Sequence, residues 1–266
     1  MMTPAQFRKI VWAHYKKHGR HDLPWRKTRN VYHILVSEVM LQQTQVDRVI
    51  PFYKNFIKQF PTAKKLADAP LSDVLKVWQG LGYNRRAKML RGAAEQLVDM
   101  PLSKRRLNLV PELEKLPGVG PYTASAIVAF AHNEEVVVIE TNIRTVIIHH
   151  FFPNKKKVSD KEIEKILRQV LPKGRSREWY SALMDYGAHL KCFGISYNSR
   201  MIRYAKQSKF SGSLREARGA ILREFTRGVT SRAHLLELLG QKRRAQMKQA
   251  LEALLAEGFI SESLLS

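Results

Sequence analysis

Apolar positions recur at helical spacing along most of the chain. Over residues 4–18, Phe7, Ile10, Val11, His14 and Tyr15 alternate with basic residues, one face of a helix. HDLPW, at 21–25, breaks it. Asn30 stands where an N-cap belongs, for a helix predicted to run to about Arg48. Pro51 then opens PFYKNFIKQF, which ends before Pro61. LSDVLKVWQG takes Ser72 as cap and stops at Gly80, and YNRRAKMLRGAAEQLVDM is a further amphipathic helix. PELEKL, LPGVG and PYTASAIVAFAH read as helix, tight turn, helix. EEVVVIE has β-branched density but is short, so an extended segment is predicted before ETNIRTVIIHHFF resumes a helix. SDKEIEKILRQVL and SREWYSALMDYGAHLKCFG add two more. Residues 195–213 are polar and basic without an apolar period, as in a linker or strap. Three short helical patterns follow in 214–258, and FISESLLS reads as a short strand. That order is the outline of a winged helix-turn-helix; the alternative is a small helical cap.

Charge changes the picture more than composition does. The chain has 266 residues and 44% hydrophobic residues, enough for a folded core. Its 46 Lys and Arg against 23 Asp and Glu leave a net charge of +23, spread along the whole length. Such an excess implies a polyanionic partner, of which nucleic acid is the usual one; an acidic membrane surface is the alternative. A single cysteine, Cys192, excludes an internal disulfide and any four-cysteine zinc or iron–sulfur site. No apolar run approaches a membrane span, and the N-terminus lacks the continuous apolar core of a signal peptide. An intracellular, cytoplasmic and nucleoid-associated protein is expected, and a monomer.

Two stretches carry candidate chemistry. In LPGVGPYTASAIVAFA, Gly118 and Gly120 flank Val119 between two amphipathic helices. Backbone N–H groups at the start of the second helix, through Tyr122 and Thr123, suit a phosphate without reading a base. In SEVMLQQTQV, Glu38 has Ile34, Leu35, Leu41 and Gln42 three and four positions away. Apolar surroundings raise a carboxyl pKa and make it a usable general acid. The competing reading is an ion pair with Arg26 or Arg144. His149 and His150 are adjacent, so their rings diverge, and no ligand set accompanies them. Lys155–Lys157 reads as a solvated loop.

Taken together, HDLPWRKTR, SEVMLQQTQV, GLGY, RAKMLRGAAE, LPGVGPYTASAI, ETNIRTV and SALMDYGA resemble the helix-hairpin-helix DNA glycosylases of the endonuclease III superfamily, in particular the adenine-specific MutY branch. The resemblance runs from about His21 to Gly187. It implies a mainly α, two-lobed glycosylase core, a helical lobe at 28–134 and a second at 1–27 with 135–212, to which the helical patterns of the tail add a winged-helix-like module at 213–266. Double-stranded DNA with a mismatch or oxidised base would lie across the cleft between the lobes. The reaction implied is hydrolysis of the N-glycosidic bond of adenine mispaired with 8-oxoguanine or guanine, in base excision repair. Another damaged or mismatched base, or a non-catalytic DNA-damage binder, remain the alternatives.

By the same resemblance, Glu38 protonates the flipped adenine. Gln43 fills the vacated stack, Tyr83 wedges beside the opposing base, and Thr44 and Leu81 lie near it. Leu23, Trp25 and Arg26 line the pocket for the extruded base, which Asp185 contacts. Asn142 holds the attacking water. A second carboxylate steadies the cationic sugar. Where the family has Asp-x-Asn, this chain has Glu140-Thr141-Asn142, one methylene longer. Tyr122 stands where lyase-type members carry a lysine, and neither Lys88 nor Lys115 matches that place, so a monofunctional hydrolase without strong lyase activity is expected. Members usually hold a four-cysteine iron–sulfur cluster after the MDYGA-like string; here only Cys192 is present, one place off register. No cluster and no catalytic metal are therefore expected, local packing should replace the cluster, and Arg200, Arg203, Lys206 and Lys209 are candidate phosphate contacts. A monovalent cation at the hairpin carbonyls is the one cofactor the resemblance allows. Asn84 replaces the second tyrosine of the usual GLGYY, and residues 213–266 stand where typical members have a larger 8-oxoguanine-recognition domain.

Overall fold

Thr3 begins the first helix, α1 (Pro4–His18), by a reciprocal cap: its hydroxyl accepts from the Gln6 N–H while the Gln6 side chain accepts from the Thr3 N–H. The computed structural model describes residues 2–100, 109–197, 200 and 209–266. Thirteen further α-helices follow: α2 (Val31–Leu41), α3 (Val46–Gln59), α4 (Ala63–Ala67), α5 (Leu71–Trp78), α6 (Arg85–Asp99), α7 (Leu109–Glu114), α8 (Pro121–Ile127), α9 (Thr141–Phe151), α10 (Asp160–Val170), α11 (Ser176–Cys192), α12 (Leu214–Phe225), α13 (Arg232–Glu237) and α14 (Arg244–Ala256). No β-strand is present among the described residues. The fold class is mainly α, as the periodicity implied.

The chain groups into two units, Met1–Glu38 with Pro101–Ala205, and Val39–Met100 with Lys206–Ser266. This grouping differs from the sequence's division at 28, 134 and 212. Residues 213–266 pack with 39–100 and do not stand apart. The boundary at Glu38 falls inside α2.

In the first unit α1, α9, α10 and α11 pack on one another. Phe7 is fully buried, its ring edge-on to those of Phe151 at 5.0 Å and Trp179 at 5.9 Å. Ile143, Val146, Ile147, Ile163, Leu167 and Leu183 close the core. Residues 134–140 form neither strand nor helix; a tight turn bonds the Val136 N–H to the Glu134 carbonyl at 2.9 Å, and Val138 is buried in the core. Rings also pack along α11: His189 lies 4.6 Å from His14 and 4.8 Å from Phe193. This is the stretch after MDYGA where packing was expected to take over from a cluster. Arg203 and Lys206 lie outside the described residues.

In the second unit α6 packs on α4 and α5, and α12 and α13 on α14. Gln79, just past α5, donates to Thr226, just past α12. Arg218 of α12 makes two bonds to Glu257 after α14, at 2.8 and 2.9 Å. The three C-terminal helices form as predicted, but the strand does not. Residues 259–266 turn instead into the short 3-10 helix Glu262–Leu264, with Phe259 and Ile260 buried.

Three helix boundaries also differ from expectation. Asn30 caps α2 through the Tyr32 N–H at 2.9 Å, but α2 stops at Leu41 instead of running to Arg48. α3 starts at Val46 and carries Pro51 inside it. Pro51 falls five residues into the helix, so it forfeits one backbone bond without ending it. α5 begins at Leu71 after Pro70, so Ser72 lies within the helix instead of capping it.

Candidate active site

Glu38 is 5% exposed on α2. Neither Arg26 nor Arg144 pairs with it: Arg26 bonds Asp185, and Arg144 bonds Asp160. Its partner is Tyr122 at the start of α8, whose hydroxyl donates to Glu38 Oε2 at 2.7 Å. Burial pushes the carboxyl up, the Tyr122 hydroxyl pulls it back, and the charge of Glu140 pushes it up again, to about 7. Burial and the charges of Glu38 and Glu140 hold the Tyr122 phenol well above its ordinary range, so it stays a donor. Glu38, Tyr122 and Glu140 thus share one electrostatic site within the first unit.

Glu140 is the N-cap of α9. Its Oε1 accepts from the Asn142 and Ile143 N–H groups, each at 2.8 Å, and the Thr141 hydroxyl donates to Oε2 at 3.1 Å. The carboxylate thereby folds back on its own helix, as an N-cap does. Lys191 of α11 donates to the Thr141 hydroxyl at 3.1 Å; burial lowers its pKa and Glu140 raises it. Lys191 had no role in the sequence reading, because nothing in its spacing links it to Glu140.

Gly187 explains how α11 comes so close to α9. A Cβ there would lie 2.3 Å from the Asn142 carbonyl oxygen and 2.6 Å from its carbon. Backbone atoms would have to move. Gly187→Ala should cost about 1–3 kcal/mol in stability by overpacking. It should also slow any reaction at Glu140 and Asn142 by roughly 100-fold, the order expected for a shift of about 1 Å. Thermal unfolding and single-turnover rates check both.

Asp185 is buried and saturated. Its Oδ1 accepts from Arg20 at 2.7 Å and Arg26 at 2.9 Å, and its Oδ2 from the Arg20 N–H at 2.9 Å and Arg26 at 2.7 Å. Burial opposes its charge, but the two arginines outweigh burial and hold the carboxyl below its usual range. In this state Asp185 ties the HDLPWR stretch to α11, with Leu23 and Trp25 buried beside it. Arg20 is a partner that the sequence reading missed.

The hairpin forms as read, with α7, a turn, then α8. Gly118 has φ 75°, which an L side chain rarely adopts. Gly118 and Gly120 are exposed, whereas Val119 and Thr123 are buried, and the Val119 N–H is used within the turn, donating to the Leu116 carbonyl at 3.1 Å. Among the described residues no His, Cys, Asp and Glu group suits a metal. His149 and His150 instead bond the hydroxyls of Tyr197 and Tyr186, each at 3.0 Å. Cys192 is exposed, and one thiolate does not supply the four that an iron–sulfur cluster needs.

In the second unit, Gln43 and Tyr83 sit at φ 56° and 50°, a strained backbone for residues other than glycine. One guanidinium braces both. Arg86, 8% exposed, donates to the carbonyls of Val39, Met40 and Gln42 at 2.6–2.9 Å. It also donates to the Thr44 hydroxyl and the Leu81 and Gly82 carbonyls at 3.2–3.3 Å. The Tyr83 ring lies 5.4 Å from it. Burial lowers its pKa to about 10, so it stays charged at neutral pH. These bonds to the carbonyls of α2 and the loop after it accompany the end of the helix at Leu41, because the guanidinium supplies donors that a continuing helix would have supplied. Arg86 was missed, although it shares a helix face with buried Leu90 and Ala93, the same anomaly that marks Glu38. Gln43 and Thr44 lie in the loop between α2 and α3, and Leu81 is buried, 5% exposed.

Helices packed around a hairpin, with a buried carboxyl bonded to the helix that follows the turn, define an all-helical class of fold. The chain belongs to the HhH-GPD superfamily base excision DNA repair proteins, whose family model matches residues 36–173. It is 37% identical over 191 residues to an adenine DNA glycosylase of Buchnera aphidicola, an alignment covering 70% of this chain and 53% of that protein. It is 32% identical over 271 residues to an adenine DNA glycosylase of Mycolicibacterium smegmatis, covering 92% and 90%. The chain therefore spans about half the length of the first of these relatives. Among solved structures it is similar to a thermostable thymine-DNA glycosylase, with a TM-score of 0.62 at 23% identity over 74% of this chain and 91% of that one, which concerns the fold alone. No described helix is long and apolar enough to cross a membrane.

Proposed function

We infer that the chain is a monofunctional adenine DNA glycosylase acting on mispaired adenine in double-stranded DNA, opposite 8-oxoguanine or guanine. The observation that carries the reading is Glu38: buried, bonded to Tyr122, beside the Glu140 charge, and pushed up to about 7. Such a carboxyl is partly protonated at neutral pH, as a general acid must be. Glu38 gives its proton to the flipped adenine, which leaves with the electron pair of the N-glycosidic bond. Glu140 stabilises the cationic sugar by charge. Water positioned near Asn142 adds to that carbon and loses a proton. No amine at the Tyr122 position is available to form a Schiff base, so strand cleavage by a lyase step is not expected. The nearby Lys191 bonds Thr141. The chemistry needs no metal and no cluster. Leu23, Trp25 and Arg26 wall the adenine pocket, with Asp185 acting through Arg26 as a positioning residue.

Single-turnover assays on duplexes carrying adenine opposite 8-oxoguanine, guanine, cytosine or thymine, with alkali added to reveal abasic sites, test the reading. Release from the first two supports it. Release of another base, or of adenine opposite cytosine, moves the substrate.

One observation favours the non-catalytic alternative. The Glu140 carboxylate is engaged by two N–H groups and a hydroxyl of its own helix. Aspartate caps a helix as well and is one methylene shorter. Glu140→Asp should therefore keep α9 capped and show equal or higher adenine release. Complete loss of release in a folded Glu140→Asp protein would mean that Glu140 does not occupy the sugar-facing position.

A further inference from the structure

We propose that Lys191 of α11 is a positioning residue: acting through the Thr141 hydroxyl, it holds Glu140 ionised, so that the proton for which the two carboxyls compete rests on Glu38. The inference rests on the glycosylase reading and deepens it, by naming the group that decides which carboxyl is the acid.

Two carboxyls that share one site titrate together, and their surroundings decide which of them keeps the proton. The surroundings here are unequal. Glu38 is buried on α2, with the Tyr122 hydroxyl as its donor. Glu140 stands at the N-terminus of α9, where two backbone N–H groups meet Oε1 and the Thr141 hydroxyl meets Oε2. Behind that hydroxyl comes the Lys191 ammonium. Arg144, also on α9, is bonded to Asp160 instead. The groups that act on one another are thus Glu38 of α2, Tyr122 of α8, Glu140 of α9 and Lys191 of α11, all in the first unit.

Lys191 reaches the site along the face of α11 that carries Gly187. The two residues lie four positions apart on that helix. Gly187 brings the face against the Asn142 backbone, and one turn on, the Lys191 Nζ lies 3.1 Å from Thr141 Oγ1. An ammonium can only donate, so the Thr141 oxygen accepts and its hydrogen turns to Glu140 Oε2, 3.1 Å away. The result is a directed chain, cation to hydroxyl to carboxylate, in which each bond polarises the next. The electrostatics agree. Burial disfavours the Lys191 charge and Glu140 restores it, while the charge that reaches Glu38 is that of Glu140.

The test is the pH dependence of single-turnover adenine release from a duplex with adenine opposite 8-oxoguanine. In Lys191→Met the Glu140 charge loses its cation, so a proton binds there at higher pH. The acidic fall-off of the rate should move up by about one unit, the order for removing a nearby opposite charge, and the rate at its foot should drop roughly tenfold. The basic fall-off, which reports Glu38, should move less. Lys191→Arg keeps the charge and should restore the profile, whereas Thr141→Val cuts the chain in the middle and should shift it as Lys191→Met does. Circular dichroism establishes that each variant is folded. A rate lowered equally at every pH, Lys191→Arg as damaged as Lys191→Met, or an unshifted Thr141→Val would overturn the proposal.

Unfolding of the free protein gives an answer that does not depend on catalysis. At about pH 7, Lys191→Met and Glu140→Gln together should lose less stability than the sum of the two single losses; near about pH 3, with carboxyls protonated, the losses should add. Additive losses at both values would overturn the link between Lys191 and Glu140. If the unmodified protein released no adenine, the glycosylase reading would fail, and this cycle would still decide whether Lys191 sustains the Glu140 charge.

Discussion

Glu38→Gln should eliminate adenine release while making the protein more stable above pH 7. Removing a general acid costs on the order of 10²–10⁴-fold in rate. The stability gain follows from the same pKa. The Glu38 carboxyl titrates at about 7 when folded, against 4.5 ordinarily, because burial disfavours its charge. The folded state therefore binds more protons than the unfolded chain between those values. Relative stability is full below about 4.5 and is lost as pH rises through about 7. A shift of that size corresponds to roughly 3 kcal/mol at pH 8. Glutamine carries no charge to bury and still accepts from Tyr122, so it escapes that cost. Denaturant unfolding at pH 5 and pH 8 should show the variant gaining only at the higher value. The unmodified protein's rate should fall as pH rises through about 7, since the protonated acid is the active form. Full activity of Glu38→Gln, or a rate that climbs through pH 7, would remove Glu38 from the role of acid.

Arg86→Met should be the most damaging change away from the carboxylates. Six oxygen acceptors, on the end of α2, the loop after it and the loop after α5, converge on this guanidinium. Methionine fills the space but leaves buried carbonyls without a donor. A loss of about 3–5 kcal/mol is expected, the range for removing one partner from a buried charged network. Lysine should rescue little, since a point charge does not span both loops. The strained backbones of Gln43 and Tyr83 would relax, so affinity for mismatched DNA should fall more than affinity for paired DNA. Equilibrium unfolding and DNA titrations measure both. A variant within about 1 kcal/mol of the unmodified protein, with its mismatch preference intact, would show that the loops hold their own shape.

Much of this is legible in the sequence. Apolar periods located most helices because they depend on residues within a few positions of each other, and of the two caps read, Asn30 holds whereas Ser72 does not. Glu38 stood out because a carboxylate on an apolar face is a local anomaly. The hairpin glycines were legible because positive φ is a single-residue requirement, met at Gly118. The predicted helix to Arg48 failed because its end coincides with Arg86, more than 40 residues away. The predicted wing failed because Phe259 and Ile260 are buried in a turn, which a β-prone composition does not distinguish from a strand.

The sequence by itself therefore determined a helical, strongly basic chain with a carboxyl on an apolar helix face and a glycine turn between two helices. Only the tertiary structure decided that Tyr122 is the partner of Glu38, that Glu140 caps α9, that Asp185 is spent on two arginines, and that Lys191 bonds Thr141 beside Glu140. The reason is range. Backbone propensity and capping act over one helical turn. Charge pairing, burial and the brace at Arg86 join residues tens to more than a hundred positions apart, and nothing in the spacing of a single sequence records which of them will meet.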